Sequence, residues 1–278
     1  MTQESNDPKI CRRCLVLKDN RQFRRGRNVC KTCTRSPKAD QLKPELDKAR
    51  SVLLIGDLHT PFQHLDAWDF LGAVQAKYKP TEAVSLGDEI DACALSAYVK
   101  DPDGMSAGDE HEAALQELEP LKALFPQLKI CKSNHTERPF KLAYRAGIPA
   151  KFLKDYAELL EAPYGWQWAD HWDIGDFRCE HGESFGGQTG AYRSALHNMR
   201  STAIGHIHSH AGIAYLKTPS AQIWAMNVGC LIDEDRYAFH YAKHMKTRPW
   251  IGCALVEENV PRLIPMDLNV HKRWTGRV

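Results

Sequence analysis

Five short clusters of aspartate, histidine and asparagine follow one another through the middle of this 278-residue chain. Oxygen and imidazole nitrogen donors in such a mixture suit divalent transition metals. One cluster alone is weak evidence, because a single histidine is more often a surface or core residue than a ligand. Five in succession favour a metal centre. The clusters are Gly56-Asp57-Leu58-His59, Gly87-Asp88-Glu89-Ile90-Asp91, Ser133-Asn134-His135, His181-Gly182 and Gly205-His206-Ile207-His208.

Two clusters hold ligands that are spaced two residues apart, Asp57 with His59 and His206 with His208. Alternate side chains of an extended segment point the same way, so each pair can face one ion. A glycine stands immediately before three clusters, where it permits a positive φ and close backbone approach. These glycines predict strands that turn sharply into a crowded centre.

The elements that must position the clusters are short apolar runs, each ending at a cluster. SVLLI, EAVSL, LKICK, FRCEH and TAIGH predict buried strands that deliver polar residues at their carboxyl ends. Amphipathic stretches over 65–77, 107–124 and 149–161 predict helices between them. QIWAMNVG and IGCALVEENVPRLIPMDL predict further strands in a second, partly antiparallel sheet. This alternation predicts α/β layers.

The order D-x-H, GD-x-x-D, N-H, H and GH-x-H resembles the calcineurin-like metallophosphoesterase superfamily over about residues 51–210. The resemblance implies a layered sandwich of two mixed β-sheets flanked by helices. Ser133 and Thr136 stand where that family has glycine and an acidic residue, for which Glu137 or Arg138 could substitute. Ala92 replaces an arginine of the Ser/Thr-phosphatase branch, which weakens a protein-phosphatase interpretation.

The resemblance also implies a dinuclear centre with Asp88 bridging two metals. Mn²⁺ is favoured, with Fe or Zn²⁺ as alternatives. A hydroxide shared by the ions would attack phosphorus in line, while the metals neutralise charge on the phosphoryl oxygens. The implied ligands are Asp57, His59 and His208 for one metal and Asn134, His181 and His206 for the other.

His135 matches the catalytic histidine of that family, which donates a proton or hydrogen bond to the leaving oxygen. Asp91 would then orient the imidazole. Arg138 could contact the substrate phosphate in place of the missing arginine.

Two Cys-x-x-Cys pairs near the start of the chain predict one tetrahedral structural zinc. They are separated by 15 residues. A module of this size has too little apolar surface to fold on a core alone, so we expect disorder without zinc. Two accidental pairs that bind nothing are the alternative. We predict a zinc module over 1–38, a linker over 39–50 and a catalytic domain over 51–278. The four cysteines are Cys11, Cys14, Cys30 and Cys33.

Charge is distributed unevenly along the chain. Residues 1–50 hold 14 Lys+Arg against 6 Asp+Glu, and the remainder holds 23 against 29. Such basic density suits a polyanion, and the module resembles short zinc modules at the start of some phage-type nucleases. Aromatic residues over 164–168 could stack on bases or pack in the core. The expected partner is nucleic acid, with DNA favoured.

These observations favour a metal-dependent phosphodiester hydrolase, with a DNA nuclease of phage or bacterial DNA processing as the leading interpretation. One alternative is a phosphomonoesterase or small-nucleotide hydrolase whose zinc module binds protein. Another is a non-catalytic scaffold that binds nucleic acid. The chain has no apolar run of about 20 residues and no signal peptide, so we expect a cytoplasmic protein that binds no membrane.

Overall fold

The chain divides into two units, Met1–Lys48 and Ala49–Val278. A computed structural model describes residues 9–10, 17–18, 21, 50–97, 102–217, 219, 221–237 and 247–278. In the first unit, strand β1 (Lys9–Ile10) pairs antiparallel with β2 (Leu17–Lys18). The predicted zinc ligands Cys11, Cys14, Cys30 and Cys33 lie outside the described residues, as does the linker up to residue 49. The zinc module and its boundaries therefore stay predictions.

A six-stranded mixed sheet carries the first three clusters. Its strand order is β13-β12-β3-β4-β5-β6, with β3 to β6 mutually parallel and β12 antiparallel to both of its neighbours. A two-residue turn with positive φ at both positions, Glu258 and Asn259, joins β12 to β13. The strands are β3 (Ser51–Ile55), β4 (Glu82–Ser85), β5 (Gln127–Cys131), β6 (Gly165–Ala169), β12 (Gly252–Glu257) and β13 (Val260–Pro265).

A five-stranded mixed sheet carries the other two clusters. Its order is β10-β11-β9-β8-β7, in which β11, β9 and β8 are parallel and the two edge strands are antiparallel to their neighbours. The strands are β7 (His171–Ile174), β8 (Phe177–Glu180), β9 (Ser201–Ile204), β10 (Gly212–Lys217) and β11 (Gln222–Asn227).

The alternation of side chains along β3 shows how the layers are built. Val52 and Leu54 pack with Phe177 and Met226 of the five-stranded sheet, so this face forms the core between the sheets. Leu53 and Ile55 point the other way, into a second apolar core. Because both faces of β3 are covered, all five of its residues are apolar or small, as the parallel strand of an α/β sandwich requires.

Helices cover the outer faces of both sheets. Helices α1 and α2 contribute Phe70, Leu71 and Leu118 to the outer core of the six-stranded sheet. Helix α5 packs Ala191 and Ala195 against the five-stranded sheet. The helices are α1 (Ala67–Tyr78), α2 (Ala107–Leu124), α3 (Arg138–Arg145), α4 (Tyr156–Leu159), α5 (Gly190–Asn198) and α6 (Glu234–Tyr237).

The predicted sandwich of two mixed sheets flanked by helices is confirmed, and each predicted strand is present. The sheet assigned to IGCALVEENVPRLIPMDL is wrong, because its strands β12 and β13 extend the six-stranded sheet beside β3, whereas QIWAMNVG forms β11 of the five-stranded sheet. The helix predicted over 149–161 is wrong. That segment holds a 3-10 turn (Ala150–Phe152), an extended residue at Leu153 and the four-residue α4. Asp155 caps α4 with a capping box and so starts a new helix there. Helices α3, α5 and α6 and strands β1, β2, β6, β7 and β10 were not predicted.

The aromatic run at 164–168 belongs mainly to the core. Trp166 is buried, and its indole N–H donates to the carbonyl of Phe125 at 2.8 Å. Trp168 is half-buried and stacks on Tyr156 with ring centroids 5.9 Å apart. Tyr164 alone is fully exposed. Most of this run is therefore occupied in packing and is not presented to a ligand.

Thiols within the described chain are free, and four of the five are buried: Cys131, Cys179, Cys230 and Cys253. Burial raises the pKa of each of these four thiols, so they act as small apolar side chains. Among the described residues, no helix is both long and apolar enough to cross a bilayer.

The C-terminal segment is fastened to the start of α1 by one carboxylate. Asp66 accepts hydrogen bonds from Arg273 Nε at 2.8 Å and from Trp274 N at 2.9 Å, and it also pairs with Arg273 Nη2. His64 Nε2 lies 3.0 Å from the carbonyl of Lys272. Trp274 in turn meets Phe70 edge to face, with centroids 5.9 Å apart. The segment thus closes one side of the outer core.

We expect Asp66→Asn to lower the thermal midpoint by several degrees at pH 7, because the amide cannot hold Arg273 as the carboxylate does. The hydrogen bond from Arg273 lowers the pKa of Asp66 to about 2, from an ordinary value of 3.8. A depressed folded pKa contributes stability above pH 3.8 that is lost as the pH falls through 2. Thermal unfolding followed by circular dichroism should therefore show the two proteins converging below pH 4. The control Asp69→Asn, at an exposed position, should not show this convergence. A difference in thermal midpoint between Asp66→Asn and wild type that stays the same at every pH would contradict the assignment.

Candidate metal centre

All five sequence clusters meet where the two sheets present the carboxyl ends of their central strands. Strands β3, β4 and β5 of one sheet end just before Asp57, Asp88 and Asn134, and strands β8 and β9 of the other end just before His181 and His206. The ends of neighbouring parallel strands lie at one edge, so side chains far apart in sequence converge there. Three groups among the described residues could hold a metal, and two of them share Asp88: Asp57, His59, Asp88 and His208 form one, and Asp88, His181 and His206 form the other. The third consists of His59, Asp91 and His135.

The first group surrounds a small space between Asp57, His59, Asp88 and His208. His208 Nε2 lies 2.8 Å from Asp57 Oδ2 and 3.2 Å from His59 Nε2. His59 Nε2 lies 3.2 Å from Asp88 Oδ2. Asp57, His59 and Asp88 are fully or almost fully buried, whereas His208 is half-buried. Two carboxylates and two imidazoles therefore aim one donor atom each at a common point.

The second group lies on the other side of Asp88. His181 Nε2 lies 2.7 Å from Asn134 Oδ1, 3.2 Å from His206 Nδ1 and 3.4 Å from Asp88 Oδ2. His181 is buried, while Asn134 and His206 are half-buried, so this side of the centre is accessible. The structure thus brings together all seven residues predicted from sequence as ligands.

The hydrogen bonds made by the Nδ1 atoms of the two buried histidines, His59 and His181, show that their Nε2 atoms face the centre. His59 Nδ1 donates to Asp91 Oδ1 at 2.7 Å, and His181 Nδ1 donates to the carbonyl of Leu86 at 2.9 Å. A neutral ring that donates through Nδ1 has a lone pair on Nε2, and a carboxylate or carbonyl behind a histidine is the usual support of a metal ligand. In this neutral form both Nε2 lone pairs point at carboxylate and amide oxygens, which are also acceptors, so the arrangement calls for a cation or a proton between them.

Asp88 Oδ2 is the atom that fits a metal pair best. It is buried, accepts no hydrogen bond from any part of the chain that the structure describes, and lies between His59 and His181. A buried carboxylate oxygen without a donor is costly, and a cation beside it removes the cost. The other oxygen, Oδ1, accepts from the backbone N of His135 at 3.2 Å. The residues present therefore fit two divalent cations that share Asp88.

The electrostatics of the centre favour bound positive charge. Burial opposes a charged His59, yet the carboxylates of Asp88 and Asp91 outweigh it and raise the pKa of His59 to about 10. Burial likewise opposes ionisation of Asp57 and Asp88, but nearby His208 and His181, respectively, help to hold the pKa of each carboxyl below its ordinary value. Without a metal the cluster would take up protons, and divalent cations compete for the same sites.

Three of the predicted ligand residues have left-handed backbone conformations. His59, Asp88 and His206 have φ values of 51°, 54° and 66°. Such values are uncommon for residues with a Cβ and are held only where the surroundings over-determine them. Asp57 provides one such constraint, because its two carboxylate oxygens accept from the backbone N of His206 at 3.1 and 2.8 Å.

The three glycines before the clusters serve two different needs. Only Gly87 has a positive φ, of 103°, and a Cβ there would lie 2.6 Å from Ser133 Cβ. Gly56 and Gly205 instead permit close approach, since a Cβ would lie 2.2 Å from the carbonyl oxygen of Gly229 and 2.3 Å from Asp57 Oδ1. The prediction of crowding is confirmed, and that of a positive φ holds for Gly87 alone.

His135, Asp91 and Arg138 form a connected set beside the two groups. His135 Nδ1 lies 2.8 Å from both the carbonyl and the Oδ1 of Asp91, and Arg138 Nη1 donates to that carbonyl at 2.7 Å. Arg138 Nη2 lies 3.0 Å from His135 Nε2. Burial opposes ionisation of Asp91, but the hydrogen bonds from His135 and His59 lower the pKa of its carboxyl. Asp91 therefore holds a proposed ligand and a proposed catalytic histidine together.

Sequence reasoning missed Glu89 and Ser85. Glu89 is fully buried behind Asp88, and its carboxylate oxygens contact Thr136 Oγ1 at 2.8 Å and Ser85 Oγ at 3.2 Å. Glu137 points away, toward Tyr156 and Lys141, and so does not substitute beside Asn134. An acidic residue directly after Asp88 in a strand-end cluster was the available signal.

No family model and no curated protein matches this chain. Among solved structures, it is similar to Vacuolar Protein Sorting 29 from Cryptosporidium parvum, with 14% identity, 74% of this chain and 84% of the other covered, and a TM-score of 0.40. Vps29 from Chaetomium thermophilum gives the same identity and coverage with a TM-score of 0.39. Yfce, a phosphoesterase from E. coli, gives 15% identity, coverage of 81% and 96%, and a TM-score of 0.41. Likeness at this level concerns the fold alone.

We expect Asp88→Asn to abolish binding of a metal pair, because one shared carboxylate charge is lost and an amide nitrogen cannot bridge. The loss of affinity should exceed the about 10- to 100-fold that changes behind a ligand cost. Isothermal titration with Mn²⁺ measures it. Asp173→Asn, a surface carboxylate paired with Arg178 and Arg200, is the matched control and should bind as wild type. Retention of two tight Mn²⁺ ions in Asp88→Asn would contradict the shared-ligand geometry.

Proposed function

We propose that this protein is a dinuclear-metal-dependent phosphoester hydrolase. The observation that carries the proposal is the pair of donor groups that share Asp88, whose buried Oδ2 has no hydrogen-bond donor among the described residues. Paired divalent ions in a partly open site are the arrangement by which many enzymes displace an oxygen at phosphorus. The half-buried Asn134, His206 and His208 leave room for a phosphoryl group to approach.

The proposed ligands divide as the two groups do. Asp57, His59 and His208 would hold one ion, Asn134, His181 and His206 the other, and Asp88 both. Mn²⁺ is the proposed metal, with Fe or Zn²⁺ as alternatives, since the donors mix oxygen and imidazole nitrogen. When bound, such ions act as Lewis acids on phosphoryl oxygens and activate water.

His135 is proposed to manage the proton at the leaving oxygen. Asp91 accepts the Nδ1 proton, and Nε2 accepts from Arg138, so the pattern of contacts assigns the neutral ring with its proton on Nδ1. A substrate phosphate would draw the Arg138 guanidinium toward its own oxygens, because arginine forms strong paired hydrogen bonds with phosphate. That movement frees Nε2 to take up a proton from solvent, which gives an imidazolium that the Asp91 carboxylate stabilises. The imidazolium then gives this Nε2 proton to the leaving oxygen and returns to the neutral ring.

We expect His135→Ala to lose turnover but keep the metal pair, because the His135 side chain belongs to neither of the two donor groups that share Asp88. The turnover number should fall by about 10² to 10⁴, the usual contribution of a general acid. Turnover of bis-p-nitrophenyl phosphate and Mn²⁺ stoichiometry by titration are the two measurements. His171→Ala, an exposed histidine on β7, controls for the substitution. Turnover within twofold of wild type would refute the role of His135.

We further propose that the substrate is a phosphodiester and that this phosphodiester belongs to DNA. The support is the basic density of residues 1–50, with 14 Lys+Arg against 6 Asp+Glu, together with the predicted zinc module. Neutralising backbone phosphates with Lys and Arg supplies most non-specific affinity for DNA and makes it salt-dependent. In this proposal the module tethers nucleic acid while the centre cuts it.

A phosphomonoesterase or small-nucleotide hydrolase is the second candidate, with the module as a protein-interaction domain. A groove beside His181 favours it. Its lining includes one lysine, Lys132, against four carboxylates: Glu137, Asp170, Glu180 and Glu183. A polyanion would meet net repulsion along this side of the centre, whereas a small phosphoester need not extend into it.

A reducing, cytoplasmic environment is also part of the proposal. The described cysteines are free thiols, and four of them are packed in the cores. The predicted zinc thiolates would likewise need reducing conditions to remain metal-bound.

Substrate class is tested by comparing bis-p-nitrophenyl phosphate, p-nitrophenyl phosphate and labelled single- and double-stranded DNA, each with Mn²⁺. Intact protein, Asp88→Asn and a variant lacking residues 1–40 are assayed at two salt concentrations. The nuclease proposal expects diester and DNA cleavage, loss of both in Asp88→Asn, and a deletion that weakens DNA cleavage while sparing the small diester. The deletion penalty should shrink as salt rises, because salt screens the phosphate contacts that the basic residues supply. Hydrolysis of the monoester or free nucleotides alone would overturn the nuclease and select the second candidate.

A further inference from the structure

A ring of hydrogen bonds, which closes through the backbone of Gly87 and Asp88, joins two segments of the candidate centre. Four side chains form it, all within the core: Ser85, Glu89, Ser133 and Thr136, each at most 2% exposed. Ser85 and Glu89 belong to the segment that carries Asp88. Ser133 and Thr136 flank Asn134 and His135. None of the four is needed to hold a metal, and the proposed reaction uses none of them.

Each hydroxyl in the ring donates once and accepts once. The backbone N of Asp88 donates to Ser133 Oγ at 2.8 Å, Ser133 Oγ donates to Thr136 Oγ1 at 3.2 Å, and Thr136 Oγ1 donates to Glu89 Oε2 at 2.8 Å. On the other side, the backbone N of Gly87 donates to Ser85 Oγ at 3.3 Å, which donates to Glu89 Oε1 at 3.2 Å. Both chains of donors thus end on the same carboxylate.

The ring links backbone positions that nothing local would keep in register. Asp88 has a left-handed φ of 54°, follows Gly87 with φ 103°, and is 45 residues from Ser133 in sequence. Its N–H is anchored by Ser133, while its Oδ1 accepts from the backbone N of His135. Displacement of Thr136 would therefore move the Asp88 carboxylate relative to Asn134 and His135.

A carboxylate at this depth is an expensive choice for packing alone. Glu89 is 0% exposed, so its carboxylate is removed from solvent entirely. Its two oxygens receive hydroxyl donors but no cation among the described residues within ion-pair distance. An apolar residue would fill the space at lower cost, since buried charge without a full set of partners destabilises the folded state. Networks of this kind instead specify one arrangement of the groups that they connect.

We propose that Glu89 and Thr136 are positioning residues that set the distance between the bridging Asp88 and the Asn134–His135 segment. The inference rests on the proposed function for its catalytic consequence, although the ring itself rests on geometry alone. Misplacement of reacting groups by about 1 Å costs on the order of 100-fold in rate. Disrupting the ring should therefore lower kcat and weaken the metal pair, with little effect on KM.

Three substitutions separate positioning from simple destabilisation. Thr136→Val keeps the shape but removes the hydroxyl, Thr136→Ser restores the hydroxyl, and Glu89→Gln keeps the size but replaces one acceptor with a donor. Thr202→Val is the matched control. Thr202 is also fully buried, and its hydroxyl donates to the carbonyl of Arg200 at 3.1 Å, outside the ring. Thermal midpoints of all proteins identify those that fold.

Turnover of bis-p-nitrophenyl phosphate with Mn²⁺ and Mn²⁺ binding by electron paramagnetic resonance are measured on the full chain. We expect kcat to fall about 10- to 100-fold in Thr136→Val and Glu89→Gln with KM within twofold, and to recover in Thr136→Ser. A double variant that combines Thr136→Val with Glu89→Gln should show a smaller fold-loss of kcat than the product of the two single fold-losses, because both substitutions break one network. Thr202→Val should match wild type in kcat, even where its thermal midpoint falls.

The proposal is overturned if folded Thr136→Val keeps kcat and Mn²⁺ binding within twofold of wild type, or if Thr202→Val loses as much. Failure of the proposed function gives a different result. If the wild-type chain hydrolyses no phosphoester, the resonance titration still tests the ring, because Thr136→Val should weaken binding of the metal pair and Thr136→Ser should restore it. Equal Mn²⁺ binding in all variants would then reject the ring as a positioning device.

Discussion

Several hydrogen-bond acceptor atoms converge around one buried carboxylate oxygen, and this protein is organised around that constraint. Asp88 Oδ2 lies within 3.4 Å of the Nε2 atoms of both His59 and His181, and it has no donor of its own in the described chain. Such a gathering of acceptors is unfavourable until positive charge is supplied. The raised pKa of His59 reflects the same demand. Protons satisfy this demand one nitrogen at a time, whereas two divalent ions match the donor types on both sides of Asp88.

The fold holds that unfavourable cluster together by placing it where strands end. Two separate sheets contribute, so ligands arrive from opposite directions without any strand being broken. The apolar residues of β3, packed on both faces, keep the edge rigid. Three of the predicted ligand positions, His59, Asp88 and His206, have positive φ values. Core packing elsewhere offsets the cost of these conformations.

Residues that contact the predicted ligands determine which atom of each ligand side chain faces the centre. Asp91 holds His59 and His135 through their Nδ1 atoms, and the carbonyl of Leu86 holds His181 in the same way. The ring that ends on Glu89 fixes the backbone on which Asp88 sits. Ligand identity alone would leave ring orientation and tautomer open, so these supports are part of the chemistry.

Local pattern sufficed for the predicted strands, the α/β layers and the strand-end clusters, because strand periodicity and cluster composition are encoded over a few residues. The sandwich of two mixed sheets and the set of seven converging side chains came from the family resemblance. Capping by Asp155 overrode the apparent helix at 149–161, and weak patterns concealed α3 and β6. The two roles of Asp91 and the ring through Glu89 depend on contacts between residues more than 30 positions apart. Only tertiary structure decides such contacts, since spacing along the chain says nothing about which buried hydroxyl or ring nitrogen will meet a given carboxylate.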